Sequence, residues 1–165
     1  MNGKKLILSA LGLALILILA ACSQNEENAQ VTSQATSQVT YESDVKGILQ
    51  QNCLTCHGSD APSLADFKAD EEKYKGLMKG PRFDNYKELV VLVNGEDSGA
   101  FMRRLDDGTN KDDGKPGNMY NNLGQTEEER QERLATLKEW VGSWNLKKSK
   151  DLTPEERAAI TAVEK

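Results

Sequence analysis

Two cysteines and the chain's single histidine fall within five positions, Cys53-Leu54-Thr55-Cys56-His57, in the stretch QQNCLTCHGSD. Cys-x-x-Cys-His is the spacing of covalent haem attachment. On a helical turn, residues three apart face the same side, so both thiols can add to the two vinyl groups of one porphyrin. The histidine that follows presents its imidazole to the iron. A thioredoxin-like dithiol also uses Cys-x-x-Cys, but within a βαβ framework that the apolar pattern of this chain does not show. A structural zinc site wants four Cys or His ligands, and beyond residue 40 the chain offers Cys53, Cys56 and His57 alone. The motif therefore predicts one haem c, attached through Cys53 and Cys56, with His57 on the iron.

Haem attachment of this kind takes place outside the cytoplasm, and the N-terminus agrees. Lys4 and Lys5 precede an uncharged apolar run from Leu6 to Ala21, with small residues at its end. That order reads as a secretory signal over residues 1–21, and the run is short for a spanning helix, which wants about 20 apolar residues. The junction Leu19-Ala20-Ala21-Cys22 resembles the lipobox of bacterial lipoproteins, in which the cysteine is acylated and becomes the first residue after cleavage. A cysteine carrying more than one acyl chain is a lasting membrane tether. With Cys22 on lipid and Cys53 and Cys56 on haem, no thiol is left over.

Residues 22–40 continue as SQNEENAQVTSQATSQVT after the cysteine, without an aromatic residue. Such a composition buries too little apolar area to offset its ordering entropy, so it reads as a flexible linker with a root-mean-square span of roughly 20 to 25 Å. Residues 41–165 fit one domain. The formal net charge is −5, and loss of Lys4 and Lys5 with the signal makes it −7, which argues against nucleic acid as a partner. Three Phe, two Trp and four Tyr are few for a core of this size. A buried cofactor supplies what they do not.

Helical periodicity dominates the domain, which predicts an all-α fold. In TYESDVKGILQQNC, Val45, Ile48, Leu49 and Asn52 share a face and Thr40 is the expected cap. A second helix starts near Asp84 or Asn85 and stops at Asn94-Gly95. SGAFMRRLDDG forms a short third. Thr126 and Glu129 have capping-box spacing ahead of Leu134, Leu137, Trp140, Val141 and Trp144, and Thr153, Pro154 and Glu156 repeat the device near the C-terminus. Between the third and fourth helices lies a Gly/Asn/Asp/Pro-rich loop, DDGTNKDDGKPGNMYNNLGQ.

One histidine cannot supply two axial ligands, so the sixth ligand is a methionine, a lysine, another weak donor, or water. Beyond the signal the methionines are Met78, Met102 and Met119. Met102 sits beside Phe101 on an apolar helix face and reads as core. Met78, flanked by lysines in YKGLMKG, reads as part of a surface helix. Met119 lies in a polar loop with no apolar periodicity to account for it, and is the expected ligand.

Taken together, CLTCHG at the end of a first helix, a later Gly/Pro-rich loop with Met119 and a closing helix with LKEWV resemble the class I c-type cytochromes over most of Tyr41 to Trp144. The resemblance implies first and last helices crossing near the haem, His57 as the proximal ligand and Met119 as the distal one. It also implies an aromatic packed at the crossing, where Trp140 falls. The chain departs from it in having Tyr120 where proline often follows the methionine, in a longer segment between His57 and Met119, and in a tail beyond Asn145.

The function this implies is a membrane-anchored, monohaem one-electron carrier between redox proteins of the cell envelope, facing the periplasm or the outer surface. An electrostatically guided partner would present a basic patch to this acidic chain. Arg103 and Arg104 are candidates to pair with haem propionates, against the plainer reading of two solvated arginines. Asp70-Glu71-Glu72 and Glu127-Glu128-Glu129 read as helix N-terminal charges. The alternatives are a peroxidase-like or gas-binding haem protein with an open sixth position, and the tethered haem subunit of a larger oxidoreductase.

Overall fold

The computed structural model describes residues 38–165, so the signal segment 1–21, the lipidation candidate Cys22 and the linker as far as residue 37 lie outside the described residues. Thr40 caps the first helix through its side chain, which accepts from the Ser43 amide. The chain enters as a π-helical turn, Tyr41–Val45, in which the Val45 and Lys46 amides reach back five residues to the Thr40 and Tyr41 carbonyls. It tightens into α1, Lys46–Asn52, and breaks at Cys53, whose φ of −124° is not helical. A single turn, α2, Leu54–His57, follows. The attachment motif thus straddles a kink instead of lying in one continuous helix.

Two short helices absent from the periodicity come next, α3 (Leu64–Ala69) and α4 (Glu71–Gly76), each opened by a side-chain cap, from Ser63 and Asp70. The Asp70-Glu71-Glu72 run is accordingly a cap followed by first-turn charges, which complement the helix dipole. Helix α5, Tyr86–Val93, begins at the Asn85 cap and ends at Asn94, and α6 spans Ala100–Leu105. A 3-10 turn, Tyr120–Leu123, precedes α7, Glu127–Val141, which carries the full Thr126/Glu129 capping box. After a second 3-10 turn, Ser149–Asp151, the last helix α8, Pro154–Ala158, repeats the box with Thr153 and Glu156. The fold is all-α as expected; one isolated bridge, Gly142 to Ile160, is the extent of strand pairing among the described residues. No helix among the described residues is long and apolar enough to cross a membrane.

The core is built where α7 meets the first helix. Leu134, Leu137, Trp140 and Val141 of α7 are buried against Tyr41, Val45 and Leu49, with Leu89, Leu92 and Val93 of α5 and Phe101, Met102 and Leu105 of α6 completing the cluster. Trp140 sits among aromatics, 6.4 Å from Tyr41 and edge-on to Phe101 at 6.3 Å. Its indole N–H donates to the Val163 carbonyl at 2.8 Å. That last contact belongs to the tail, which is an integral strap. Ile160 and Ala162 are buried in the core cluster. The Val163 and Glu164 carbonyls accept from the Tyr41 and Glu42 amides, and the Ile160 and Ala162 carbonyls accept from Asn94 and Tyr86 side chains. Side-chain-capped helix starts and a closing strap place the two faces of a central cavity on α2, α6 and the loop before α7.

Candidate functional site

A cavity of about 530 Å³ opens between α2, the α3/α4 pair, α6 and the 3-10 turn, a volume within the roughly 300–1,000 Å³ of small-molecule and cofactor sites. Cys53, Cys56 and His57 line one side of it, and Met119 also reaches it. Its walls are largely apolar, from Leu64, Phe67, Phe83, Leu92, Phe101, Leu105 and Leu123.

His57 is fixed from three directions. Its Nδ1 lies 2.7 Å from the Pro81 carbonyl oxygen, and a carbonyl only accepts, so Nδ1 carries the hydrogen and Nε2 is left with a free lone pair. Phe83 stacks on the ring at 4.3 Å between centroids. Gly80 packs so closely that a β-carbon there would lie 2.0 Å from His57 Cε1. The backbone is tied down as well, with the Gly80 amide on the Cys56 carbonyl and the Phe83 amide on the His57 carbonyl. Burial pushes the imidazole's pKa below its ordinary value, partly countered by the Pro81 bond, which keeps the ring neutral and fit to ligate. A Gly80→Ala substitution is therefore expected to push the imidazole off its position; purified under conditions that load wild type fully, the variant should show less than half the haem per polypeptide, measured by pyridine haemochrome.

The two thiols are free of any disulfide. Burial first, and then the neighbouring Cys56, pushes the Cys53 thiol up to about 11. A nucleophilic redox dithiol has its attacking thiol shifted the other way, so Cys53 lacks the activated thiolate that disulfide exchange uses. Haem fits the residues present: two thiols three positions apart, an imidazole of fixed tautomer, an apolar cavity beside them, and a glycine where any side chain would strike the ligand.

The three methionines separate. Met102 is fully buried in the core and does not line the cavity. Met78 lies beyond the end of α4, outside any helix, with a positive φ of 55° and 78% exposure, and it does line the cavity. Met119 lines the cavity half-buried, held by its amide on the Arg104 carbonyl at 2.9 Å. Its sulfur accepts from Asn122 Nδ2 at 3.3 Å. The loop reaches this position because Gly117 packs on the end of α6, where a β-carbon would be 2.2 Å from the Arg104 carbonyl oxygen. Buried Asp106 gathers the same loop by accepting from the Gly108 amide, Asn110 and the Trp144 indole.

The arginine pair divides. Arg103 points to the tail and donates to the Leu146 and Lys147 carbonyls, while Arg104 lines the cavity. Trp140 takes part in the core without lining the cavity. The residues that hold His57 (Gly80, Pro81 and Phe83) and the sulfur's donor Asn122 escaped the sequence reading. The Gly80-Pro81 turn signal was visible, but nothing local ties it to a histidine more than twenty residues earlier.

Comparison with known proteins agrees with this geometry. A family model described as PccH Cytochrome c matches residues 40–164. The solved monohaem cytochrome PccH from Geobacter sulfurreducens is 52% identical to the chain, covering 76% of it and 98% of the solved chain with a TM-score of 0.72. Cytochrome c-551 of Bacillus subtilis (strain 168) is 32% identical over 93 residues, which is 52% of this chain and 83% of that protein. Cys53 and Cys56 thus belong to a covalent haem c site, and the chain is a member of the PccH cytochrome c family, a monohaem class I c-type cytochrome.

Proposed function

We propose that this cytochrome is a one-electron carrier of the bacterial cell envelope in which His57 and Met119 would hold the haem iron, exported by residues 1–21 and anchored through a lipid on Cys22. The observation that carries the reading is one apolar cavity reached both by an imidazole of fixed tautomer and by a loop thioether. Haem, when bound, supplies the one-electron couple of its iron. His57 offers Nε2 while Pro81, Gly80 and Phe83 prevent it from turning. Met119, held by Arg104 and Asn122, would offer its sulfur to the haem iron from the other side of the cavity. The apolar walls exclude water and thereby favour the lower charge of the ferrous state.

Export and anchoring are supported by the basic head, the apolar run and the lipobox-like junction. The 22–40 linker gives the domain reach above the membrane. The partners are redox proteins of the envelope, and the net charge of −7 left once Lys4 and Lys5 are lost from the full chain's −5 suits one with a basic docking patch.

Optical spectra of the purified protein test the reading, taken oxidised, reduced, and reduced under carbon monoxide. The expected result is a low-spin c-type spectrum with the weak far-red band of thioether-bound ferric haem, indifferent to carbon monoxide. A high-spin spectrum that shifts on adding carbon monoxide would mean an open iron, and would move the protein from electron transfer to catalysis or gas binding.

A further inference from the structure

The cavity has two arms, the segment from Cys53 to His57 and the Met119 loop with the 3-10 turn that follows it. Among the described residues, no hydrogen bond or ion pair runs directly between residues 41–60 and residues 106–125, and the polar link between the arms is one side chain of α7. Arg133 Nη1 donates to Asn52 Oδ1 at 3.0 Å and also to the Leu123 carbonyl. Asn52 closes α1 immediately before Cys53, and its Nδ2 donates to the Ile48 carbonyl at 2.8 Å, which turns Oδ1 toward α7. Leu123 ends the 3-10 turn, in which the Asn122 amide donates to the Met119 carbonyl at 3.0 Å. Asn52 and Leu123 both line the cavity, whereas Arg133 does not.

Nothing else claims the charge of Arg133. It is half-buried, and no carboxylate among the described residues lies within ion-pair distance of it. Glu129, one turn earlier, has its carboxylate on the Gln125 and Thr126 amides. Arg130 differs, since it pairs with Glu127 and reaches only the Gly124 and Gln125 carbonyls beside its own helix. A guanidinium on two neutral oxygens makes charge-assisted bonds in a fixed planar geometry, and it does not lose its proton.

We propose that Arg133 is a positioning residue that sets the width of the cavity, tying the arm that carries Cys53 and His57 to the arm that carries Met119. The inference rests on those arms being the two sides of the haem site described above. The tie acts next to Cys53, where the first helix breaks, and on a 3-10 turn too short to keep its place unaided.

The test compares holo wild type with Arg133→Met, which keeps the alkyl stem and removes the donors, with Asn52→Ala, and with the double variant. Amide hydrogen exchange is followed at Cys53 and Asn122, whose N–H groups donate to the Leu49 and Met119 carbonyls, and at Tyr41, which donates to Val163 in the strap. In Arg133→Met, exchange at Cys53 and Asn122 is expected to quicken about tenfold or more, with Tyr41 within about twofold of wild type. Carbon monoxide association with the reduced protein should quicken by a similar factor, because Met119 is less firmly held. The double variant is expected to be no faster at Cys53 than the faster single variant, as for two residues that act through one contact. Equal acceleration at all three amides would make Arg133 an ordinary stabiliser of the fold, and unchanged exchange at Cys53 or Asn122 would mean that the arms are held without it. Either result, or additive acceleration in the double variant, would overturn the proposal. A wild type whose iron is already open to carbon monoxide would instead remove the Met119 reading beneath it, while the amides still decide whether Arg133 joins the arms.

Discussion

Protein in which Cys53 and Cys56 are both replaced by alanine is expected to lose its cooperative thermal transition, keeping helical far-ultraviolet ellipticity while binding a hydrophobic dye such as ANS. The cavity beside those cysteines measures about 530 Å³. Without haem its apolar walls face water instead of a porphyrin, which forfeits part of the apolar burial that dominates folding, against a total stability of roughly 5–15 kcal/mol for a domain. The apolar side chains that line it (Leu92, Phe101, Leu105 and Leu123) come from three separate elements. None of those elements is long enough to hold without tertiary support, since isolated helices below about 12–15 residues are marginal in water. What is left is the Trp140 cluster and the strap, which favours a compact state with loose packing on the cavity side. A sharp, dye-silent melt of the alanine variant would mean that the walls close on one another, and that the haem is cargo in a self-sufficient fold.

Replacement of Met119 by alanine is expected to abolish the far-red thioether band, to let carbon monoxide bind the reduced protein, and to lower the midpoint potential by on the order of 0.1 V, a modest part of the roughly 0.8 V that axial ligands span. The thioether favours ferrous iron, so its loss moves the potential downward. Met78→Ala and Met102→Ala are the controls that give the result its meaning. Met102 is fully buried away from the cavity, so its truncation should cost about 2–5 kcal/mol of stability and leave the far-red band in place. Met78 lines the cavity from a loop adjoining the one that holds His57, and its loss should leave the band in place as well. Disappearance of the band in Met78→Ala, with Met119→Ala unchanged, would reverse the ligand assignment.

Much of this architecture was legible in the chain because its signals are local. A cap three residues ahead of its acceptor marks Thr126 and Thr153, and Asn85 opens α5 where the apolar spacing begins. The attachment motif is legible for the same reason, since covalent chemistry fixes its spacing within five residues. Met119 stood out because nothing apolar around it explained a methionine. Helices α3 and α4 escaped because each is six residues long with no buried position to set a period. The lysines around Met78 read as a surface helix, whereas the Leu77 cap ends α4 just before it. The hydrogen bond that orients His57 joins residues 24 apart, and the one from Trp140 to the tail joins residues 23 apart. Such pairings are set by how the loops close over the core, which no window along the sequence contains.

The strap has a mechanical meaning. Tyr41 and Glu42 hang by their amides from the Val163 and Glu164 carbonyls, and Val163 is in turn fastened to the Trp140 indole. A load entering the domain at Thr40 therefore does not meet a free helix end that can be peeled away one turn at a time. It meets a clasp that joins the first and last segments of the domain, and the first helix yields only if the tail is dragged off α7 with it. Were the domain tethered through Cys22 as proposed, the segment that leads into Cys53 would be shielded from that tension by the far end of its own chain.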